Sequence, residues 1–431
     1  MSATGRLRGW FRRLLKRPGQ GAAVGSADDR ESAQFLCSLG VAMLETGQAT
    51  SDVERILTTV AAAYRLAPVR LVVLPTVMFV QLRNGQRTLE VDVVRPGAIR
   101  LDQAAEIDDL VAEASRAAME PAAALERLEA IRTSPPRFGR WLTFVGYLLL
   151  TLGFGLLLDP TALAIPEYLL LGAVVGALVM LGRRFPRFDA VLPVFAAFVA
   201  TVLTTLFLST WAGDIPLRVI APALVSFLPG LTLTIGAVEL SSNQVIAGAS
   251  RVVYGISQLL LLAFGVVAGA AVTGGFPTST ARGAELGWWA PLAGLVLLAA
   301  GNLLFFSAPG RSFAWLLLSL VVTYGALSLG TLVLGAELSP FAGALVVIPF
   351  ARLIAHFRTA PPAAVTMLAS FWLLVPGALG FLGLSQAFTG GTGSVNQLLA
   401  TGISVFAIAV GILVSSVLTS AASTIRFRRM S

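Results

Sequence analysis

The sequence predicts an all-α polytopic membrane protein carrying a small α+β domain at its N-terminus. Three observations predict it. Of 431 residues, 56% are hydrophobic and 13% charged, with a mean hydropathy of +0.81, outside the range of soluble domains. The charged residues crowd into the first 140 positions and then thin out between apolar runs long enough to cross a bilayer. The chain also repeats itself. At an offset of 147 residues Trp141 falls on Trp288, Pro193 on Pro340, Pro229-Gly230 on Pro376-Gly377, Gly236 on Gly383, and Gly255-Ile256-Ser257 on Gly402-Ile403-Ser404.

The first 27 residues contain RLRGWFRRLLKRPG, in which Arg6, Arg8, Arg12, Arg13, Lys16 and Arg17 surround Trp10, Phe11, Leu14 and Leu15. This pattern suits a basic amphipathic helix on anionic lipids, or else a solvated basic tail, and it lacks the apolar stretch of a signal peptide. Residues 28–134 read as a cytoplasmic α+β domain. Phe35, Leu36, Leu39, Ala42 and Met43 recur at helical spacing, with Gly47 to end the helix. Ser51-Asp52-Val53-Glu54 has the spacing of a capping box. VRLVVLPTVMFVQLR and QRTLEVDVV flank Asn84-Gly85, a hairpin signal. Two more helices, 102–118 and 122–132, precede Pro135-Pro136, which leads to the membrane part.

Cys37, the single cysteine, sits in an apolar helical pattern and reads as a buried structural thiol. The single histidine, His356, lies far from this domain, which removes histidine triads and His-ligated zinc from it. No phosphate-binding loop or nucleophile motif is present, and Asp92, Asp108 and Asp109 are expected as solvated surface charge. A regulatory or gating role is expected for this domain rather than catalysis.

Ten apolar segments follow, as two sets of five: residues 141–274 and 288–425. With the soluble domain inside, the inner loops and tail hold Arg183, Arg184, Arg187, Arg251, Arg311, Arg352, Arg358, Arg426, Arg428 and Arg429, and the outer loops only Arg218 and Arg282. That asymmetry puts both termini in the cytoplasm. Five spans per repeat force the second copy to enter the membrane inverted, the architecture of many alternating-access transporters.

Within LPGLTLTIGAVELSSNQ, Pro229 and Gly230 predict a kinked or discontinuous fourth span, matched by Pro376 and Gly377 in the ninth. Such breaks either serve packing or present helix ends to a ligand. Glu239 lies ten residues past Pro229, about 15 Å along a straight helix, which would leave it wetted at the interface. Drawn inward, it becomes a proton-carrying group. Ser257 and Ser404 occupy equivalent repeat positions and either bond their own backbone or touch substrate. Tyr254, Gln258 and Asn302 are further candidate cavity residues, and Arg352 is expected to snorkel to the interface.

At these residues the sequence resembles the threonine/serine exporter family. LETGQATSDVERILTTVAAAYRL is similar to that family's G-x-x-T-x-D-V-E signature, at Gly47, Thr50, Asp52, Val53 and Glu54. RTSPPRFGRW is similar to its junction into the first span, and Leu228 to Gly255 and LVPGALGF resemble its two Pro-Gly segments, with Glu239-Leu240, Gly248 and Arg251 downstream of the first. The resemblance covers about residues 30 to 425, and the family's usual Asp is here Glu239. It implies a proton-coupled exporter of threonine, serine or similar small amino acids in a bacterial inner membrane. The expected partners are that amino acid, protons and anionic lipids at the N-terminus. No nucleic acid and no cofactor are expected, and a homo-oligomer is compatible with the sequence. The rival readings are a transporter of other small metabolites such as carboxylates, a membrane-tethered hydrolase acting through residues 28–134, and a non-transporting scaffold.

Overall fold

Apolar residues at helical spacing build the first helix, α1 (Ala27–Glu45), around which the N-terminal domain packs. The computed structural model describes residues 27–66, 68–84, 86–94, 100–208, 216–276, 284–357, 359–374, 381–386 and 394–428. The basic leader, Gly85 and the second Pro-Gly pair, Pro376-Gly377, lie outside the described residues.

After α1 come α2 (Thr50–Ala63), β1 (Val69–Val73), β2 (Val77–Asn84), β3 (Gln86–Val93), α3 (Leu101–Ala114) and α4 (Pro121–Thr133). The strands form an antiparallel meander, β1-β2-β3, in which Val80 pairs with Leu71 and Glu90. Alternation along β2 sends Met78, Val80 and Leu82 against Phe35, Leu36, Leu39 and Met43 of α1, with Leu57 and Leu110 closing the core. Truncating such a side chain, Leu57→Ala for example, costs about 2 to 5 kcal/mol. Cys37 is buried here as expected, and burial pushes its thiol up to about 12.

The expected capping box at Ser51 is not formed. Helix α2 begins two residues earlier than a Ser51 cap implies, at Thr50, behind an extended Ala49 that offers no side-chain cap, and Asp52 pairs with Arg55 instead at 2.8 Å. Asp108 also departs from expectation, because it is half-buried rather than solvated.

The membrane part comprises α5 (Arg140–Leu158), α6 (Ala164–Gly182), α7 (Leu192–Leu203), α8 (Pro216–Ala223), α9 (Gly230–Ser241), α10 (Val245–Val272), α11 (Trp289–Phe305), α12 (Phe313–Leu334), α13 (Ser339–Ile354), α14 (Ala363–Leu374) and α15 (Ser394–Arg428). Among the described residues, five helices are long and apolar enough to cross a membrane: α5, α6, α10, α12 and α15. Helices α8 and α9 pass the same criterion together, as a pair bent by 71° that forms either a broken span or a re-entrant loop. The other expected segments hold shorter apolar helices, α7, α11, α13 and α14.

Small residues set the helix contacts. Gly153 of α5 faces Gly294 of α11 so closely that a Cβ on either would sit 2.9 Å from the other's carbonyl oxygen. Gly146 meets Leu304 and Gly301 meets Leu150, so numbers rise on one helix as they fall on the other and the pair is antiparallel. Gly265 of α10 meets Val194, Ala197 and Phe198 of α7, while Gly411 of α15 meets Phe341, Ala344 and Leu345 of α13. The three residues of the second set are those of the first displaced by 147.

The predicted break near Pro229-Gly230 is present and spreads over several residues. Helix α8 contains Pro222 and stops at Ala223, a 3₁₀ turn runs from Val225 to Phe227, and Pro229 immediately precedes α9. Carbonyls freed at such a break need donors, since the membrane interior offers no water. The hydroxyl of Tyr147, fully buried on α5, donates to Ala223 O at 2.7 Å and lies 3.1 Å from Ser226 Oγ. Tyr147→Phe removes that donor and should lower stability by about 1 to 3 kcal/mol, read as a lower melting midpoint of the full chain in detergent.

Asp108 gives a second prediction. Its carboxyl is pushed from 3.8 up to about 6, first by burial and then by the neighbouring Asp109 carboxylate. The folded state therefore binds this proton more tightly than the unfolded one, so stability falls as pH rises from the unfolded value through the folded one. Asp108→Asn should raise the melting midpoint at neutral pH, and the gain should vanish around pH 4.

Candidate functional site

Two places along α8 and α9 stand out, an apolar cleft at the break and a buried ion pair beyond it. The first is the break itself. A cleft of about 40 Å³ lies between Val225, Leu228, Gly230 and Leu231 on one side and Leu368, Phe371 and Trp372 of α14 on the other. Helix α14 ends at Leu374, two residues before Pro376. The cleft is therefore flanked by the first Pro-Gly break and by the helix that leads into the second pair. Its volume suits a water molecule or two and is too small for an amino acid. Ser226 lies beside one wall, and on α14 Ser370 is buried against Ser319 of α12 with their hydroxyls 2.6 Å apart.

The second place is the far end of α9. Gly236 and Glu239 are three residues apart on α9, and Gly248 and Arg251 three apart on α10, so each glycine shares a face with a charged residue. A Cβ on Gly248 would meet Gly236 O at 2.6 Å, and one on Gly236 would meet Val252 at 2.9 Å. The helices touch through backbone, and the charged side chains one turn on are forced together. Asn243 takes a left-handed φ of 64° in the connecting turn, and Gln244 N–H donates to Glu239 O at 2.8 Å.

Glu239 is fully buried, which corrects the expectation of a wetted helix end. Its Oε2 lies 3.1 Å from Arg251 Nε, an ion pair without an aligned hydrogen bond, and Arg251 Nη2 has no hydrogen-bond partner among the described residues. Its Oε1 accepts the backbone N–H of Thr50 at 2.9 Å. Thr50 is the first residue of α2, so a carboxylate of the membrane part caps a helix of the N-terminal domain. This contact explains why no local capping box forms.

The other sequence candidates are dispersed. Pro229 and Gly230 are at the break, whereas Pro376 and Gly377 lie outside the described residues. Tyr254 and Ser257 face outward on α10. Ser257 donates to Val253 O at 2.8 Å, and Gln258 donates to the Tyr254 hydroxyl at 2.9 Å. Ser404, the repeat mate of Ser257, is instead buried and donates to Glu337 O at 3.2 Å, so equal sequence positions have unequal surroundings. Asn302 is buried, donates to Leu298 O at 2.9 Å, and leaves Oδ1 without a hydrogen-bond partner among the described residues. Arg352 is exposed near the end of α13, as snorkelling requires.

Four buried or partly buried residues were not singled out as site residues from the sequence. Tyr147 gave no signal within an apolar helix. Thr50 and Arg251 stand in the family-like segments, but only folding shows that they share Glu239. Glu167, buried in the first turn of α6, was also missed because it sits at the end of an apolar run.

The family model described as "Putative threonine/serine exporter" matches residues 34–273, which include both sides of the Glu239 contact. Two uncharacterized proteins of Schizosaccharomyces pombe (strain 972 / ATCC 24843) are each 30% identical to this chain. One matches over 115 residues, 25% of this chain and 14% of its own length, and the other over 162 residues, 35% and 21%. The aligned part thus spans well under half of these curated relatives. No solved structure matches the chain. With more than half of its length inside the family match, the chain belongs to the threonine/serine exporter family.

Proposed function

We propose that this chain is a secondary exporter of small polar amino acids of the threonine/serine type, driven by the proton gradient across a bacterial cytoplasmic membrane. In this reading ten helices form a five-plus-five inverted repeat, and both termini are cytoplasmic. The observation that carries it is the broken span, bent by 71°, facing α14 across a water-sized cleft. A transporter needs a site that opens to one side at a time, and a discontinuous helix provides backbone groups for a zwitterion and a joint on which access can change.

The repeat is supported by the α7–α10 contacts, which recur in α13–α15 with the α7 residues displaced by 147 and the contacting glycine by 146. It is also supported by α5 and α11, equivalent first helices that run antiparallel, as a two-fold axis in the membrane plane requires. The cleft as it stands excludes substrate, so loading requires α9 and α14 to part.

Glu239 is assigned the coupling proton. It is a buried carboxylate on the moving half of the broken span, and its charge faces Arg251. A second reading, export of other small carboxylates, is favoured by the incompletely bonded guanidinium of Arg251, a natural carboxylate receptor.

Flux of radiolabelled serine, threonine and small carboxylates into proteoliposomes under an imposed pH gradient tests the function. Wild type should concentrate serine or threonine, and preference for the carboxylates would select the second reading. Glu239→Gln keeps an acceptor for Thr50 N–H but removes the charge. It should abolish gradient-driven accumulation while sparing exchange, and Glu239→Asp should retain coupling. A Gln variant that still concentrates substrate would remove Glu239 from the coupling role. For the architecture, single cysteines replacing Asp189 and Glu337, in the loops after the second and seventh helical segments, should label from opposite sides of the membrane. Labelling from one side would rule out the inverted repeat.

A further inference from the structure

Two contacts between the N-terminal domain and the membrane part are hydrogen bonds from the first N–H of a helix, and α3 also packs against α14. Thr50 N–H, opening α2, donates to Glu239 Oε1 of α9 at 2.9 Å. Leu101 N–H, opening α3, donates to Phe306 O at the end of α11 at 2.8 Å. The second attachment is also apolar, since Leu101 and Ala105 pack within the main core of the membrane part. The first is different in kind, because it falls on a short helix that hangs from a break.

Leu231, Ile235 and Glu239 are spaced four apart and form one stripe along α9. The α1–α2 turn lies on this stripe. Gly47 takes a φ of +82° there, and a Cβ on it would sit 3.2 Å from Leu231 and 3.9 Å from Ile235, while Thr50 reaches Glu239. Leu231 is also a wall of the cleft at the break. The turn thus rests on the segment that must move for the cleft to widen, while the domain that carries it is anchored elsewhere, on α11 and on α14, the opposite wall of the cleft.

We propose that the α1–α2 turn is a clamp on α9 and that it releases the Leu231–Ile235–Glu239 stripe in every transport cycle. The proposal rests on the exporter reading for the word cycle, but the clamp itself is a contact that can be read without any substrate. Glu239 has two partners, Thr50 N–H and Arg251, so neutralising its charge weakens both the ion pair and the hold on the positive end of α2. Charge at this carboxylate and closure of the clamp are one event.

The backbone offers a selective test. Thr50 is the first helical residue and follows an Ala49 with φ −69° and ψ 144°, the setting that accepts proline. Thr50→Pro removes the N–H donor and preserves α2, whereas Thr50→Val removes the hydroxyl and preserves the donor. In the full chain, a cysteine replacing Ile235 should react with maleimide about fivefold faster with Thr50→Pro than with Thr50→Val, the scale of one lost helix cap. Cys37 stays silent because it is buried with its thiol pushed up to about 12.

In proteoliposomes moving serine under an imposed pH gradient, the Ile235 cysteine should also react faster than in the same vesicles without the gradient. Equal labelling of the Pro and Val variants overturns the clamp, and labelling that turnover leaves unchanged overturns its release in each cycle. If wild type carries no amino acid while the labelling difference persists, the exporter reading fails and the clamp stands.

Discussion

A carboxylate with no exposed surface must be paired, because an isolated buried charge is prohibitively expensive. At Glu239 that requirement organises much of the molecule. It fixes Arg251 opposite, which in turn demands the backbone contact between Gly236 and Gly248 that brings α9 and α10 together. It also recruits the first N–H of α2 and thereby joins two parts of the chain that composition alone would separate. Removing either charged partner from such a pair costs about 3 to 5 kcal/mol, more than most single contacts in the protein.

The break in the fourth span obeys the same rule in backbone form. Two prolines and a 3₁₀ turn interrupt the hydrogen-bond ladder in a setting without water, and the protein answers with the Tyr147 hydroxyl rather than by straightening the helix. A helix kept broken with a dedicated donor is a feature of the design of the fold. The bend separates α9 from α8 and leaves α9 held mainly by its neighbours.

Periodicity and composition carried the fold a long way. The two-layer N-terminal domain, the apolar segments and the interruption near Pro229-Gly230 are all local features, written in residues a few positions apart. The sequence coincidences at an offset of 147 have a counterpart in the contacts that α7 makes with α10 and α13 with α15. What sequence could not provide was any statement about distant neighbours. Ser51-Asp52-Val53-Glu54 looked like a self-sufficient cap, yet the cap came from residue 239. Glu239 looked wetted because distance along a straight helix was the only available ruler, and a domain that covers the helix end is invisible to it. Ser257 looked equivalent to Ser404 of the other half, but the two have different surroundings despite their shared offset.

The meeting of Gly153 with Gly294 has a mechanical consequence. Each glycine sits 2.9 Å, at its would-be Cβ, from the carbonyl oxygen of the other, so neither helix can slide or roll without losing backbone contact. Side chains that interdigitate allow some play, but two bare backbones pressed together allow almost none. The α5–α11 crossing is therefore a stiff contact within the membrane part. Any movement there is left to contacts made through longer side chains and to the bend between α8 and α9.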